Sequence, residues 1–199
     1  MIELTLIGIG TGNPDHLSLQ AAPENAAAEQ NQNPQKGAGK EALAGLRRRL
    51  CDSHAGPQAR IVEFDLPRRD ATDPDYKHGV TRWHDAIAES WQAQIRAHLP
   101  QLAGRVALLV WGDPSLYDST LRIADRLTLP LKRRVIPGIT AIQALCAAHA
   151  IPLNAVGAPV QITTGRQLRD HGWPPGVDRI VVMLDGDCAF QSLDPGGLT

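Results

Sequence analysis

The sequence predicts an α/β protein of two α/β domains, with a mainly parallel sheet in the first. Two observations carry this. Short apolar runs rich in Val, Ile and Leu, at 2–9 and 106–110, have the length and composition of buried parallel strands. Such runs end in small-residue loops, Gly8 to Asp15, Gly112-Asp113-Pro114 and Pro137-Gly138, each followed by a helical pattern. That order puts loops at the carboxyl ends of strands, where open α/β sheets bind ligands. The first domain is expected over 1–155. Residues 156–199 read as the start of a second domain that the sequence does not finish.

Composition narrows the class. The 199 residues are 43% hydrophobic and 21% charged, ordinary for a globular chain, and the net charge of −1 offers nothing to nucleic acid. Seven histidines form no H-E-x-x-H pattern, and three widely spaced cysteines form neither a C-x-x-C site nor a disulfide framework, so no metal is expected. The cysteine usage favours a reducing compartment. The apolar runs are too short for a signal peptide or a membrane span. A cytoplasmic protein without a membrane partner is the reading.

In chain order, a strand over 2–9 runs into Gly8-Ile9-Gly10-Thr11-Gly12-Asn13-Pro14-Asp15. A dinucleotide fingerprint would need glycine where Asn13 stands, and an acidic strand end further on is missing, so NAD is discounted. Asp15 or Ser18 can cap a helix through Leu17, Leu19, Ala21 and Ala22. Residues 23–35 carry no Val, Ile, Leu or aromatic side chain. They read as a polar loop, a frayed helix or local disorder, where a parallel sheet would want a strand. Residues 36–50 form a basic loop and an amphipathic helix with Leu43, Leu46 and Leu50 on one face. Lys36, Arg47 and Arg48 there face either an anionic substrate or solvent.

A strand over 60–66 and a polar loop follow. A long helix is expected over 80–99, with Trp83, Ile87, Trp91 and Ile95 as core anchors and His84 and Asp85 near its start. After strand 106–110, Ser115 can cap a helix reaching Leu127. Thr140 can cap an alanine-rich helix after Pro137-Gly138, its free N–H groups suiting a polar cofactor edge. An alternating strand at 160–165, a short polar helix at 166–171 and a buried strand at 179–184 open the second domain.

Taken together, G-I-G-T-G-N, G-D-P-S-L-Y and P-G-I-T-A with I-P-L at 151–153 resemble the tetrapyrrole methylase family, in order and in rough spacing. The likeness extends to L-I-G-I-G-T-G-N-P-D-H-L and C-A-A-H-A-I-P-L-N. It implies two α/β domains holding S-adenosylmethionine between them in a homodimer. The implied reaction is methyl transfer to a ring carbon of a corrin precursor, with loss of a two-carbon unit as acetate. Gly112, Asp113 and Pro114, with Tyr117 on the following helix, would hold the methionine part. Thr140 and Ala141 would line the same pocket, and Met183 or Leu184 would pack on the adenosine. Thr11 and Asn13 stand where the family has proline and aspartate, so Asn13 can hydrogen-bond substrate without ionising. His84 or Asp85 is the candidate base for acetate release. Lys36, Arg47 and Arg48 are candidate partners for substrate carboxylates. A relative with another acceptor and a non-catalytic nucleotide-binding protein are the alternatives.

Overall fold

The computed structural model describes residues 1–35, 41–70, 72, 74–193 and 196. The chain divides into two compact units, Met1–Ala141 and Ile142–Thr199. The division falls at the start of a helix, ahead of the 155/156 boundary that the sequence pattern suggested.

The first unit is built on a five-stranded, wholly parallel sheet. Its strands are β1 (Ile2–Gly8), β2 (Gln30–Gln35), β3 (Arg60–Asp65), β4 (Gly104–Val110) and β5 (Leu131–Ile136), in the order β3-β2-β4-β1-β5. Helices α1 (Ala21–Ala26), α2 (Glu41–His54), α3 (Tyr76–His98) and α4 (Thr120–Ala124) join them. Parallel neighbours need such crossovers, because a tight turn can only reverse the chain. The strands β1 and β4 are buried on both faces, which explains their unbroken apolar runs.

Two apolar layers sandwich the sheet. On one face Ile87, Trp91 and Ile95 of α3 pack on Leu4, Leu6 and Val106. Each fully buried side chain of that size contributes roughly 1.5–3 kcal/mol. On the other face Leu50 and Cys51 of α2 pack on Ile7 and Leu109. The α3 spacing expected from the sequence is therefore the core seam. The helix begins earlier than residue 80, because Asp75 caps it by accepting the His78 N–H at 3.0 Å.

Residues 23–35 correct the sequence reading most. They hold most of α1 and all of β2, an inner strand. Strand pairing runs through backbone groups, and β2 pairs with β3 on one side and β4 on the other. Its apolar surroundings come from its neighbours. Gln30, Asn31, Gln32 and Asn33 are each at most 1% exposed. Gln32 donates to the Trp91 carbonyl at 3.3 Å and Asn33 to Glu63 at 3.0 Å. Both side-chain polar atoms of Gln30 and of Asn31 are buried without a partner among the described residues. Burying amides in this way opposes folding.

Other corrections are local. Ser18 does accept the Ala21 N–H, at 3.2 Å, but Leu17 and Leu19 precede α1 and Leu19 is exposed. Ser115 caps nothing. The helix starts at Thr120, whose N–H is taken by Asp118 at 2.6 Å, and it ends at Ala124. The edge strand β5 carries exposed Lys132, Arg133 and Arg134, charges that discourage pairing with another chain.

The second unit contains α5 (Ala141–Ala148, of which Ala141 belongs to the first unit), β6 (Gln161–Thr164), α6 (Gly165–His171) and β7 (Ile180–Met183). Strands β6 and β7 pair in parallel. Strand β7 is half-buried throughout, where the sequence suggested a buried strand.

Gln30→Leu removes two unpartnered buried polar atoms and keeps much of the volume. Urea unfolding should show a gain of about 1–3 kcal/mol. A lower midpoint would mean that the amide is satisfied in solution.

Candidate active site

The carboxyl ends of β1, β4 and β5 converge, and glycine makes the convergence possible. A Cβ on Gly8 would stand 2.5 Å from Gly138 N and 2.8 Å from Gly112 O. A Cβ on Gly138 would overlap Gly112 O. Gly10 and Gly112 bridge the loops, with Gly112 N donating to Gly10 O at 2.7 Å, and both have left-handed backbone (φ 73° and 62°).

Asp113 pins the arrangement. Its Oδ2 accepts the Gly138 N–H at 2.9 Å, and its Oδ1 accepts the Ser115 N–H at 2.8 Å and the Ser115 hydroxyl at 2.5 Å. Burial pushes this carboxyl up. The three donors, the Ser115 hydroxyl foremost, outweigh burial and hold it below the usual carboxylate range. Pro114 is buried, and Thr140 approaches Gly112 on its open side. Gly112, Asp113, Pro114 and Thr140 thus come together, with Ala141 next in the chain. The Asp113–Gly138 contact went unread in the sequence, where Pro137-Gly138 marked only a strand end.

Tyr117 lies in the loop before α4 rather than on a helix, because the helix begins three residues later. It has left-handed backbone (φ 48°) and is 39% exposed. Thr11 pairs with His16 at 3.2 Å. Asn13 caps a short 3-10 turn through its bond from the Asp15 N–H, which leaves an exposed amide at the first loop. Met183 ends β7 and Leu184 follows it, exposed, in the second unit.

The remaining candidates separate. Arg47 is 6% exposed; it donates to Pro34 O at 3.2 Å and lies 5.8 Å from the Trp111 ring centre. Arg48 points elsewhere, held at the surface by Asp52 (2.9 Å) and Glu63 (3.1 Å). Lys36 lies outside the described residues. His84 sits in the third turn of α3, not its first, and is 4% exposed beside Trp83 with Nε2 unpartnered. Burial, with Arg126 and Arg122 nearby, lowers its proton affinity. Asp85 is paired with Arg126 at 2.7 Å. Among the described residues no cluster of His, Cys, Asp and Glu could hold a metal, and no helix is long and apolar enough to cross a membrane.

A parallel sheet whose strand ends carry a glycine loop, a Gly-Asp-Pro loop and a Pro-Gly loop defines a cofactor-binding α/β protein. The chain belongs to the tetrapyrrole (corrin/porphyrin) methylase family, whose model matches residues 3–193. It is 44% identical over 199 residues to the precorrin-6A synthase (deacetylating) of Sinorhizobium sp, covering 98% of this chain and 76% of that protein. The crystal structure of a cobalamin-synthesis-related protein (CobF) from Corynebacterium diphtheriae superposes with a TM-score of 0.78 at 40% identity, covering 97% and 76% of the two chains. The uroporphyrin III C-methyltransferase of Thermus thermophilus shares the fold alone, at 20% identity and a TM-score of 0.56, covering 97% and 78%.

Asp113→Asn turns one acceptor into a donor facing either Gly138 N–H or Ser115. It should cost about 1–3 kcal/mol in urea unfolding. Because the folded-state pKa lies below its ordinary value, the carboxylate's contribution is present at neutral pH and fades as the pH falls below the usual carboxylate range. The gap between wild type and variant should close there. A gap that is constant with pH would contradict the clamp.

Proposed function

We propose that the protein is a methyltransferase of corrin ring biosynthesis that uses S-adenosylmethionine. It methylates precorrin-5 at C-1 and releases the extruded two-carbon unit as acetate, giving precorrin-6A. The observation that carries this reading is the backbone cradle of Gly8, Gly10, Gly112 and Gly138, clamped by Asp113. The strand-end loops pack too closely for Cβ atoms at Gly8 and Gly138, so they meet through main chain, which suits a cofactor held by main-chain groups. The similarity to the Sinorhizobium enzyme supports the acceptor and the deacetylation.

S-adenosylmethionine supplies an electrophilic methyl group on a sulfonium, so the chain itself has to position rather than activate. Holding reacting atoms in line is worth several kcal/mol. The main chain of Gly112, Asp113 and Pro114 and the Tyr117 ring would take the methionine part, with Thr140 and Ala141 beside them. Met183 and Leu184 stay assigned to the adenosine by family likeness alone. Asp113 already accepts three hydrogen bonds and keeps its charge; it acts as a clamp, not a base. Arg47 is a substrate-binding candidate that lines a cavity. Asn13 offers a neutral amide at the first loop.

Acetate release needs water to add to an acyl carbon and a group to take its proton. Burial favours the neutral form of His84, the form a base needs, but the same burial in α3 favours a packing role. Asp85 is occupied by Arg126. A homodimer in the cytoplasm completes the proposal, consistent with three free cysteines.

Incubation with methyl-labelled S-adenosylmethionine and precorrin-5 tests the reading. One acetate should appear for each methyl transferred. Methylation without acetate would assign another acceptor carbon, and no transfer would remove the activity.

A further inference from the structure

A cavity of about 170 Å³ opens beside the last residues of β4, one step from Gly112. Trp83, Trp91 and Trp111 line it, with Arg47, Tyr117 and Asp118. Its size selects its occupant. It exceeds the roughly 30 Å³ share of one water several-fold, and falls short of the roughly 300 Å³ at which drug-sized pockets begin. Its chemistry selects further. Arg47 is 6% exposed and Trp91 is 3% exposed, and among the described residues neither Arg47 Nε nor Trp91 Nε1 has an acceptor. A buried guanidinium and three indoles thus border a small space. A cation with so little water around it favours an anionic partner, so a small anion beside the Arg47 guanidinium is favoured.

We propose that this cavity is a receptor for a two-carbon carboxylate, with the Arg47 guanidinium as its counter-ion and the indoles as walls for its methyl or methylene carbon. The inference rests on the deacetylating methyltransferase reading and deepens it, by giving the acetate fragment a place next to the methyl-transfer loops. Asp118 also borders the cavity, with Oδ1 engaged by the Thr120 N–H at 2.6 Å. Its charge competes for Arg47 and weakens the hold on an anion, which lets a product leave. Two sources share this chemistry: acetate itself, or a carboxymethyl side chain of the macrocycle.

Three of the chain's four tryptophans line the cavity, so indole fluorescence reads its occupancy. Acetate titrated against wild type at constant ionic strength should give a saturable change. Acetamide, an uncharged isostere, should bind at least about tenfold more weakly. Arg47→Met should abolish the response. Trp173→Phe removes the tryptophan that does not line the cavity and should leave the response intact, and with acetamide it carries the test if Arg47→Met does not fold. Repeating the titration with saturating tetrapyrrole separates the sources. Acetate that still binds marks a site for the released fragment, and acetate that is displaced marks a side-chain site. No saturable change, an equal response to acetamide, or an unaltered Arg47→Met overturns the proposal. S-adenosylhomocysteine is titrated in parallel. If it binds while acetate does nothing, the receptor alone falls; if acetate binds and it does not, the methyltransferase reading falls.

Discussion

The site depends on one contact, the Asp113 carboxylate accepting the Gly138 N–H across the ends of β4 and β5. The two loops otherwise touch through glycine backbone, packed too closely for a Cβ. With the Asp113 contact, a charge-assisted hydrogen bond fixes the spacing of the loops, and Ser115 fixes the carboxylate in turn. The glycines make the approach possible and the aspartate makes it permanent. Both kinds of residue stand at the ends of the strands that flank β1.

Behind this edge the sheet tolerates an unusual inner strand. Gln30, Asn31 and Gln32 of β2 pair on both sides and the rest of the strand pairs with β3, so its position follows from ladder geometry and not from its side chains. The apolar layers come mainly from β1, β4, α2 and α3, where Ile7, Leu50, Ile87, Trp91, Ile95 and Leu109 are buried. Their burial must offset the orphaned amides of Gln30 and Asn31. The cavity bounded by Pro34, at the end of the same strand, and by Arg47 lies where this polar strand meets the aromatic seam of α3.

Much of this was legible in the chain. Unbroken apolar runs marked β1 and β4, helical spacing marked α3, and three small-residue loops in family order marked the site. Strand β2 was not legible, because strand signals rest on apolar or β-branched side chains and QNQNPQ has neither. Most of β5 was hidden in the same way by Lys132, Arg133 and Arg134, which an edge strand can expose. Within the site, Gly112 and Asp113 could be read from their motif, but the partner of Asp113 lies 25 positions away and only pairing order brings it close. Arg47 and Arg48 are adjacent in sequence and opposite in fate. One turns into the cavity beside Trp111, the other meets surface carboxylates. A helical wheel separates two such faces; it does not say which one covers a cavity.

The central claim is that main-chain packing of Gly8, Gly112 and Gly138 forms the cofactor cradle. Calorimetric titration of wild type and Gly138→Ala with S-adenosylhomocysteine tests it most directly, with circular dichroism confirming that the variant keeps its sheet. Micromolar binding to wild type, lost in a folded Gly138→Ala, is the predicted result. Equal binding by the two proteins would contradict the account.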